Sequence, residues 1–435
     1  MGSTPVTTTG AAGRDQTAGP ARLGPVVAWF LGALALVALV GAVLGLAARV
    51  PSSAWWRTGP TLSNFVRLYI VEWPNTWHGG DWGWWSFLQP GERAVAPITA
   101  LIAWVVVIFC FMLPMVTYQI WALRKVMGFM QARLGPVRVG PVGLLQTPAD
   151  ILKLLTKEDV IPTAADKPVF FVAPFIVLVP AIMAYLVVPF GNQRVVDGRV
   201  VYSLVAGDLN IGVLFLSAIS SVAVIGIIAA GWASNSKYPL LGAMRSAAQL
   251  VTYEVPLSLA LLAPVLWSGS LNLAEIARQQ DTLAHWNLWP CAIAAVVFAL
   301  AALAELGHVP FDLPEAESEL VSGYNVEYSG MKFAMFFLAE FSNAFTMAAV
   351  AVTLLLGGWH SPFPHWLPLL GWDEGVFALA WFFLKSLALV FLLFWIRATV
   401  PRLRIDQLMA LGWKFLIPVA LANLVLVAAL RAVVP

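Results

Sequence analysis

The chain has 435 residues, of which 60% are hydrophobic and 11% are charged, and its formal net charge is +2. Soluble domains carry roughly 25% charged residues, so the composition excludes a soluble globular domain and indicates an integral membrane protein. Its two cysteines, Cys110 and Cys291, lie in separate apolar runs and cannot by themselves hold an iron–sulfur cluster or a structural zinc ion.

The chain divides into a polar tail and a series of apolar segments. Residues 1–25 are rich in Thr, Ala, Gly and Pro, which predicts a disordered tail. Nine later segments are long and apolar enough to span a bilayer. They lie at about 26–48, 97–121, 169–190, 210–232, 247–268, 289–306, 331–357, 377–399 and 412–432. The predicted fold is therefore an all-α integral membrane protein with about nine transmembrane helices.

Two segments between the spans have a distinct composition. Residues 49–96 contain seven tryptophans, which favour the headgroup level and predict an interfacial or re-entrant loop; binding of a sugar or another ligand is the alternative. In residues 144–161, helical spacing separates leucines from charged residues. This pattern predicts an amphipathic helix in the cytoplasmic interface.

The basic residues of the loops predict the orientation in the membrane. From residue 121 onward, fourteen Lys and Arg residues fall on one side and four on the other. Cytoplasmic loops carry the excess of basic residues. We therefore expect the N-terminus and the acidic 305–332 loop to be cytoplasmic and the C-terminus to lie outside.

Carboxylates are concentrated in one stretch between two apolar segments. Seven acidic residues lie there with one basic residue, Lys332: they are Glu305, Asp312, Glu315, Glu317, Glu319, Glu327 and Glu340. Crowded acids at a membrane edge resist ionising, which is a physical basis for storing and moving protons. A solvated acidic loop is the alternative for 312–319, but interleaved apolar residues favour a packed site.

Three ionisable residues are predicted at membrane depth. Glu254 interrupts a span just before Pro256, and Glu340 and Lys385 lie within two later spans. Placing such residues in lipid costs free energy, so they are by default functional candidates. We expect proton handling by these groups, with a structural hydrogen bond as the alternative for Glu254. A buried Lys385 would need a carboxylate partner or lose its proton.

Two further features have simpler interpretations. Arg133 and Arg138 occur in a stretch shaped by Gly and Pro, which suits a fixed loop, although basic anchoring residues are also common there. His308 is disfavoured as a metal ligand because no second His or Cys is near it.

No glycine-rich nucleotide motif is convincing, so any redox cofactor belongs to a partner or arrives as a lipid-soluble substrate.

Extended motifs occur along roughly 97–435. They are ELGHVPFDLPEAESEL at 305–320, GYNVEYSG at 323–330, QARLGP at 131–136, ADILKLLTKEDVIP at 149–162, DLNIG at 208–212, GWASNSKY at 231–238, GAMR at 242–245 and IRATVPR at 396–402, followed by Asp406 and Gln407. Taken in chain order, the motifs resemble the family of the H-type membrane subunits of complex I, also called NADH dehydrogenase subunit 1. The resemblance implies an eight-helix quinone-chamber domain at 97–435, preceded by an additional helix and the Trp-rich loop at 26–96.

The resemblance implies a role in proton-translocating NADH:quinone oxidoreductase. In that family the subunit forms part of the quinone chamber, and its carboxylates begin the path that links quinone reduction to proton pumping. The path residues carried over are Glu254, Glu305, Asp312, Glu315, Glu317, Glu319, Glu327 and Glu340. Residues carried over to the quinone passage or the docking surface are Arg133, Asp150, Lys153, Arg245 and Arg397. The 144–161 helix corresponds to the one at the quinone entrance.

The resemblance also implies the cofactors, partners and location. The chain would bind no cofactor itself; quinone is the substrate, and NADH, FMN and iron–sulfur clusters belong to partner subunits. The partners would be membrane subunits of the A, J and K types, hydrophilic subunits of the B, D and I types, and membrane lipids, without nucleic acid. The location would be the bacterial inner membrane.

The chain departs from the family pattern at three positions. Leu123 replaces the usual Glu before the basic pair, Val137 replaces the Asn after Gly-Pro, and Ile405 replaces the Tyr before Asp406. The first departure removes one candidate from the proton path.

Two alternative functions share part of the pattern. The equivalent subunit of a membrane-bound hydrogenase or formate-linked complex has parts of the acidic loop, but the completeness of the 305–330 match disfavours it. A secondary proton-coupled transporter would fit the intramembrane acids and Lys385, but no internal repeat of the kind such folds use is visible.

Overall fold

The computed structural model describes residues 92–435 apart from 192, 197–198, 204–208, 313–321, 364–375 and 434–435. Of residues 92–109, the two strands and Val376, only the backbone is described. The predicted tail, the first span and nearly all of the Trp-rich loop lie outside the described residues.

Helices account for most of the described chain. In order they are α1 Glu92–Met130, α2 Gln146–Thr156, α3 Lys167–Ala184, α4 Gly212–Ala233, α5 Lys237–Ser268, α6 Leu273–Arg278, α7 Ala292–Glu305, α8 Gly330–Leu355, α9 Val376–Thr399, α10 Ile405–Ala410 and α11 Ile417–Val433. A π-helical turn, Leu411–Leu416, joins α10 to α11. Short 3-10 turns occur at Pro141–Gly143, Leu283–His285 and Gly323–Asn325.

Among the described residues, six helices are long and apolar enough to cross a membrane. They are Lys167–Ala184, Gly212–Ala233, Lys237–Ser268, Gly330–Leu355, Phe377–Thr399 and the continuous run Ile405–Val433. The predicted 97–121 span lies inside α1, and the predicted 289–306 span is the shorter helix α7. The predicted all-α membrane class is confirmed. A two-stranded antiparallel hairpin, β1 Gln193–Val196 and β2 Arg199–Ser203, was not predicted.

Small residues let the helices approach closely. A Cβ added at Gly226 on α4 would lie 2.6 Å from Val177 Cγ2 on α3. A Cβ at Gly242 on α5 would lie 2.7 Å from the Cα of Gly323 in the 3-10 turn. Lipid tails provide no hydrophobic drive between helices, so close packing through small residues is a usual source of membrane-helix association. The Gly323 turn is thereby held against α5.

A ring cluster joins four helical segments. Phe111 of α1 lies 5.3 Å from Phe383 of α9 and 6.1 Å from Phe345 of α8, measured between ring centroids. Tyr185, which follows α3, stacks on Phe345 at 6.0 Å and donates a hydrogen bond to the Ser342 carbonyl at 3.1 Å. Aromatic pairs at these separations stabilise beyond the area they bury.

The predicted interfacial helix is present as α2, which contacts α1 and α8. Its Leu152 and Leu155 are exposed, which agrees with an apolar face toward a membrane interface. The segment after α2 is attached to α8: the Val160 amide donates to Ser329 Oγ at 2.9 Å.

Candidate functional site

A cavity of about 140 Å³ lies among α3, α4, α5, α7 and α8. Glu254 from α5, Glu305 from the end of α7 and Glu340 from α8 all line it. These acids are 86 positions apart from first to last in the sequence, and only the packing of the three helices brings them together. A cavity of this size has room for several water molecules, and the polar residues on part of its wall can hold them. Water between carboxylates is a medium for proton transfer.

Hydroxyl and amide groups line the rest of the polar wall. Ser217 and Ser220 come from α4, Ser258 from α5, and Asn343 and Thr346 from α8. They supply donors and acceptors that can hold water away from the apolar walls.

Glu254 has a fixed partner on the neighbouring helix. The Ser221 hydroxyl donates a short hydrogen bond to Glu254 Oε1. Ser221 also reaches the Ser217 carbonyl at 3.1 Å, so α4 holds the hydroxyl in place. The structure thus supplies the hydrogen bond that the sequence allowed as an alternative, and at the same time places Glu254 on the cavity.

A second cavity, of about 70 Å³, adjoins the first. Glu305, Glu340 and Tyr324 line both cavities, and Ser246 and Gln249 line the second only. The two acids therefore stand where the two polar spaces meet. Tyr324 is placed there by the 3-10 turn that packs on Gly242.

The segment that follows α7 is held by one amide side chain. Gln249 on α5 is buried, and its Nε2 donates to the Ala304 carbonyl at 2.6 Å and to the Phe311 carbonyl at 2.9 Å. Both ends of the segment are fixed to α5 by these bonds. Glu305 lies within the fixed stretch, and its Oε2 is buried without a hydrogen-bond partner among the described residues. Such an atom is costly unless it is protonated or hydrated.

His308 and Arg397 adjoin Glu340. Arg397 Nη1 lies 3.2 Å from His308 Nδ1 and 3.8 Å from Glu340 Oε1. His308 Nδ1 lies 3.4 Å from the same Glu340 oxygen. Burial, and then the Arg397 charge, lower the pKa of His308 from 6.5 to about 3. The ring is therefore neutral at physiological pH, and its contact with Glu340 is not an ion pair.

The remaining acidic candidates fall into two groups. Asp312 is partly buried at the end of the fixed segment, and Glu327 is partly buried in the turn before α8. Glu315, Glu317 and Glu319 lie outside the described residues.

The basic candidates separate in space. Arg397 joins the carboxylates, as described. Arg133 and Lys153 are exposed on the α1–α2 side. Asp150 lies there too, 2.5 Å from Arg124 Nη1, and it accepts a 3.1 Å hydrogen bond from Gln146. The α1–α2 side is thus a surface of mixed charge, distinct from the cavity. Arg245 is half-buried on α5, four positions before Gln249.

Lys385 does not need the carboxylate partner that its position predicted. Its Nζ donates to the carbonyls of Leu356 at 2.7 Å and His360 at 2.9 Å, and it lies over the Trp286 ring at 5.2 Å. The Leu356 carbonyl is at the C-terminal cap of α8, where cations are favourable, and the His360 carbonyl lies in the turn that follows. The lysine therefore caps a helix.

Sequence reasoning left out several side chains of this site. The sequence did not assign Ser221, Gln249 or His308 to the path, because their roles depend on contacts between helices. His308 is the partner of Arg397. Leu123, where the family usually has Glu, is buried in the apolar core. Among the described residues no group of three His, Cys, Asp or Glu side chains could hold a metal ion.

Comparison with known sequences gives a family for the chain. A sequence model described as NADH dehydrogenase matches residues 102–428. The H subunit of NADH-quinone oxidoreductase from Geobacillus kaustophilus is 47% identical over 349 residues, covering 80% of this chain and 98% of the relative. The H subunit from Brevibacillus brevis is 50% identical over 323 residues, covering 74% and 90%. An H subunit from Geobacter sulfurreducens is 47% identical over 336 residues, covering 75% and 93%.

Proposed function

The chain belongs to the NADH dehydrogenase family, and from that premise we propose that it is the membrane subunit of an NADH-quinone oxidoreductase whose cavity acids pass protons. The observation that carries the second part is the meeting of Glu254, Glu305 and Glu340 at one polar cavity. The subunit acts within a translocating oxidoreductase and carries no redox centre of its own. The relatives' names support this function over the hydrogenase alternative.

Quinone reduction consumes protons, and the cavity acids pass protons. Quinone takes up two electrons and two protons when it is reduced. That change alters the charge next to the acidic stretch, and interacting carboxylates respond as a group rather than singly. Glu305 and Glu340 stand between two polar spaces, so a proton released from one space can be taken up in the other. Glu254, held by Ser221, extends this route toward the hydroxyl-lined wall.

The path includes the acidic residues of the 312–327 stretch. Asp312 and Glu327 flank this stretch, and Glu315, Glu317 and Glu319 belong to it by family resemblance. Glu305 lies within the segment that Gln249 fixes, and Asp312 adjoins it. This arrangement supports a direct link from the stretch to the cavity.

The α1–α2 side is the proposed quinone passage and docking surface. Arg133, Asp150 and Lys153 lie on this side, and Arg245 belongs to the same group. The exposed leucines of α2 support contact with the membrane interface, where a lipid-soluble quinone arrives. Hydrophilic subunits of the B, D and I types would dock here, and membrane subunits of the A, J and K types would pack beside the helices.

The proposed assembly also implies where the cofactors are. NADH, FMN and the iron–sulfur clusters belong to partner subunits, since two isolated cysteines cannot supply cluster ligands. The excess of basic residues supports a cytoplasmic N-terminus and acidic stretch in a bacterial cell, with the C-terminus outside.

Substitution of two acids in the assembled complex tests the proposal. Glu254→Gln and Glu340→Gln should each lower NADH:quinone reductase activity and proton pumping together, on the order of tenfold or more. Glu275→Gln is the matched control, because Glu275 is exposed and pairs with Arg278 away from the cavity. If both cavity variants pump protons at the normal rate, the assignment of these acids is wrong.

The co-purifying chains test the family function independently. An NADH-oxidising subunit among them supports it. A nickel–iron hydrogenase large subunit in its place would contradict it, whatever the acid variants do.

A further inference from the structure

His308 is a fully buried imidazole beside the acids of the proposed path. Its side chain has no exposed surface. The ring is held in place because the Phe311 amide donates to the His308 carbonyl at 2.8 Å, and Gln249 fixes the segment on both sides. Phe341 of α8 lies against the ring at 6.4 Å between centroids. The imidazole therefore has little freedom to turn away from its polar neighbours.

Two charged groups face the ring from neighbouring helices. They are Glu340 from α8 and Arg397 from α9. On its own segment, Glu305 lies three positions before His308, and Asp312 lies four positions after it. From α5, the group that contacts the segment is the neutral amide of Gln249. The ring thus lies between one fixed cation and one acid that can exchange a proton.

The hydrogen-bond roles at Nδ1 follow from the chemistry of arginine. A guanidinium can only donate, so His308 Nδ1 must be the acceptor for Arg397, and the ring proton is then on Nε2. Nε2 is buried without a hydrogen-bond partner among the described residues. Glu340 Oε1 lies 3.4 Å from Nδ1, whose single lone pair is engaged by Arg397.

Arg397 has a complementary choice of partner. It lies 3.2 Å from His308 Nδ1 and 3.8 Å from Glu340 Oε1, so a small movement exchanges one for the other. With Glu340 ionised, the guanidinium gains a charge-assisted hydrogen bond at the carboxylate. With Glu340 protonated, that gain is lost and Nδ1 is the better acceptor.

We infer that His308 is a positioning residue that holds Arg397 at Nδ1 while Glu340 is protonated, and that Arg397 moves to the Glu340 carboxylate once the proton leaves. This inference rests on the proposed role of Glu340 in proton transfer. In the step itself the O–H bond of Glu340 breaks and the proton bonds to water in the adjoining cavity. His308 remains neutral throughout, because burial and the Arg397 charge oppose an imidazolium.

A pair of variants of similar volume tests the inference in the assembled complex. His308→Asn keeps an acceptor oxygen close to the position of Nδ1, and His308→Leu removes it. If protonated Glu340 is required for turnover, activity falls on the alkaline side as Glu340 loses its proton. Without Nδ1 as an alternative acceptor, Arg397 stays at Glu340 and favours its ionised form, so the alkaline limb of quinone reductase activity should move about one pH unit lower in His308→Leu. His308→Asn should keep the wild-type limb.

Infrared difference spectroscopy provides a second readout, which a purely structural role would not change. The protonated-carboxyl band that disappears in Glu340→Gln should shift in His308→Leu and stay in place in His308→Asn. Should His308→Leu fail to assemble, His308→Met takes its place, since a thioether is only a weak acceptor.

The outcomes separate this inference from the proposed function. If Glu340→Gln impairs pumping but the Leu and Asn variants share one pH profile and one carboxyl band, the role of His308 is overturned and that of Glu340 stands. If Glu340→Gln pumps normally, both are overturned. A shifted limb in His308→Leu, restored in His308→Asn, supports the inference.

Discussion

Lys332 Nζ lies 2.8 Å from Asp159 Oδ2, so an ion pair joins the segment after α2 to the first turn of α8. The ammonium also lies 5.2 Å from the centre of the Phe170 ring. The lysine side chain is nearly buried, whereas the aspartate is half-exposed. Because α2 forms part of the proposed quinone passage and α8 carries Glu340, this pair connects the passage to the acid path.

Removal of this ion pair should loosen α2. We expect Asp159→Asn to lower the free energy of unfolding by about 1 kcal/mol, since solvent screens the aspartate. Limited proteolysis within 157–166 should become faster. Glu158→Gln is the matched control, because Glu158 is exposed in the same segment and its substitution removes the same charge. Equal cleavage rates in the two variants would contradict the role of the pair.

The hydrogen bond from Ser221 to Glu254 should matter for turnover. In Ser221→Ala the carboxylate loses a charge-assisted bond, and we expect quinone reductase activity to fall about tenfold. Ser220→Ala removes a hydroxyl from the same cavity, but that hydroxyl donates to the Ser217 carbonyl at 2.9 Å, so a smaller effect is expected. A larger loss in Ser220→Ala would show that cavity hydration, rather than the direct bond, is what counts.

Lys385 should act on stability and leave the pH profile unchanged. Lys385→Met leaves the Leu356 and His360 carbonyls without their donor, and we expect a loss of about 2 kcal/mol in the free energy of unfolding. The measurement is thermal inactivation of the purified complex. Lys414→Met, at an exposed lysine, is the control. A shifted pH profile of proton pumping in Lys385→Met would instead restore the proton-handling role predicted from the sequence.

His308 should make the complex less stable in acid. Burial, with Arg397, lowers the pKa of His308 from 6.5 to about 3, so between these values the unfolded state binds more protons than the folded state. The stabilisation is complete above pH 6.5 and is lost as pH falls toward 3. At pH 5 we expect a loss of about 2 kcal/mol from this group.

Two variants check that assignment by thermal inactivation at pH 7.5 and pH 5. His308→Asn should remove this part of the acid sensitivity. His285→Asn should leave it unchanged, because the His285 side chain is exposed and pairs with Asp281. Identical acid sensitivity in wild type and His308→Asn would contradict the prediction.

Apolar runs predicted most of the helices, and the differences have physical causes. The predicted 247–268 span is part of a helix that begins at Lys237, because polar residues such as Ser246 and Gln249 are buried by neighbouring helices rather than exposed to lipid. Hydropathy treats these residues as interruptions. The predicted 169–190 span, by contrast, is longer than the observed helix, which ends at Ala184 and is followed by turns.

The site was predictable in its residue types but not in its connections. Acids at membrane depth are rare enough that Glu254 and Glu340 stand out in the sequence. The bond between Ser221 and Glu254 joins residues 33 positions apart on two helices, and no local pattern contains that pairing. Lys385 shows the converse: its charge was visible in the sequence, but the carbonyls that accept its hydrogen bonds come from the C-terminal cap of α8 and from the turn that follows.

The position of Glu340 along α8 has an electrical consequence. Glu340 lies ten residues after Gly330, the first residue of α8, which is about 15 Å along the helix axis. A charge at that depth experiences part of the voltage across the membrane, roughly a third if the helix enters the ~30 Å apolar core after its first turn. Each 100 mV then acts on the Glu340 proton with about 0.8 kcal/mol. The proton occupancy of Glu340 would therefore change as the membrane becomes energised, and pH profiles measured in sealed, respiring vesicles should differ from those in detergent.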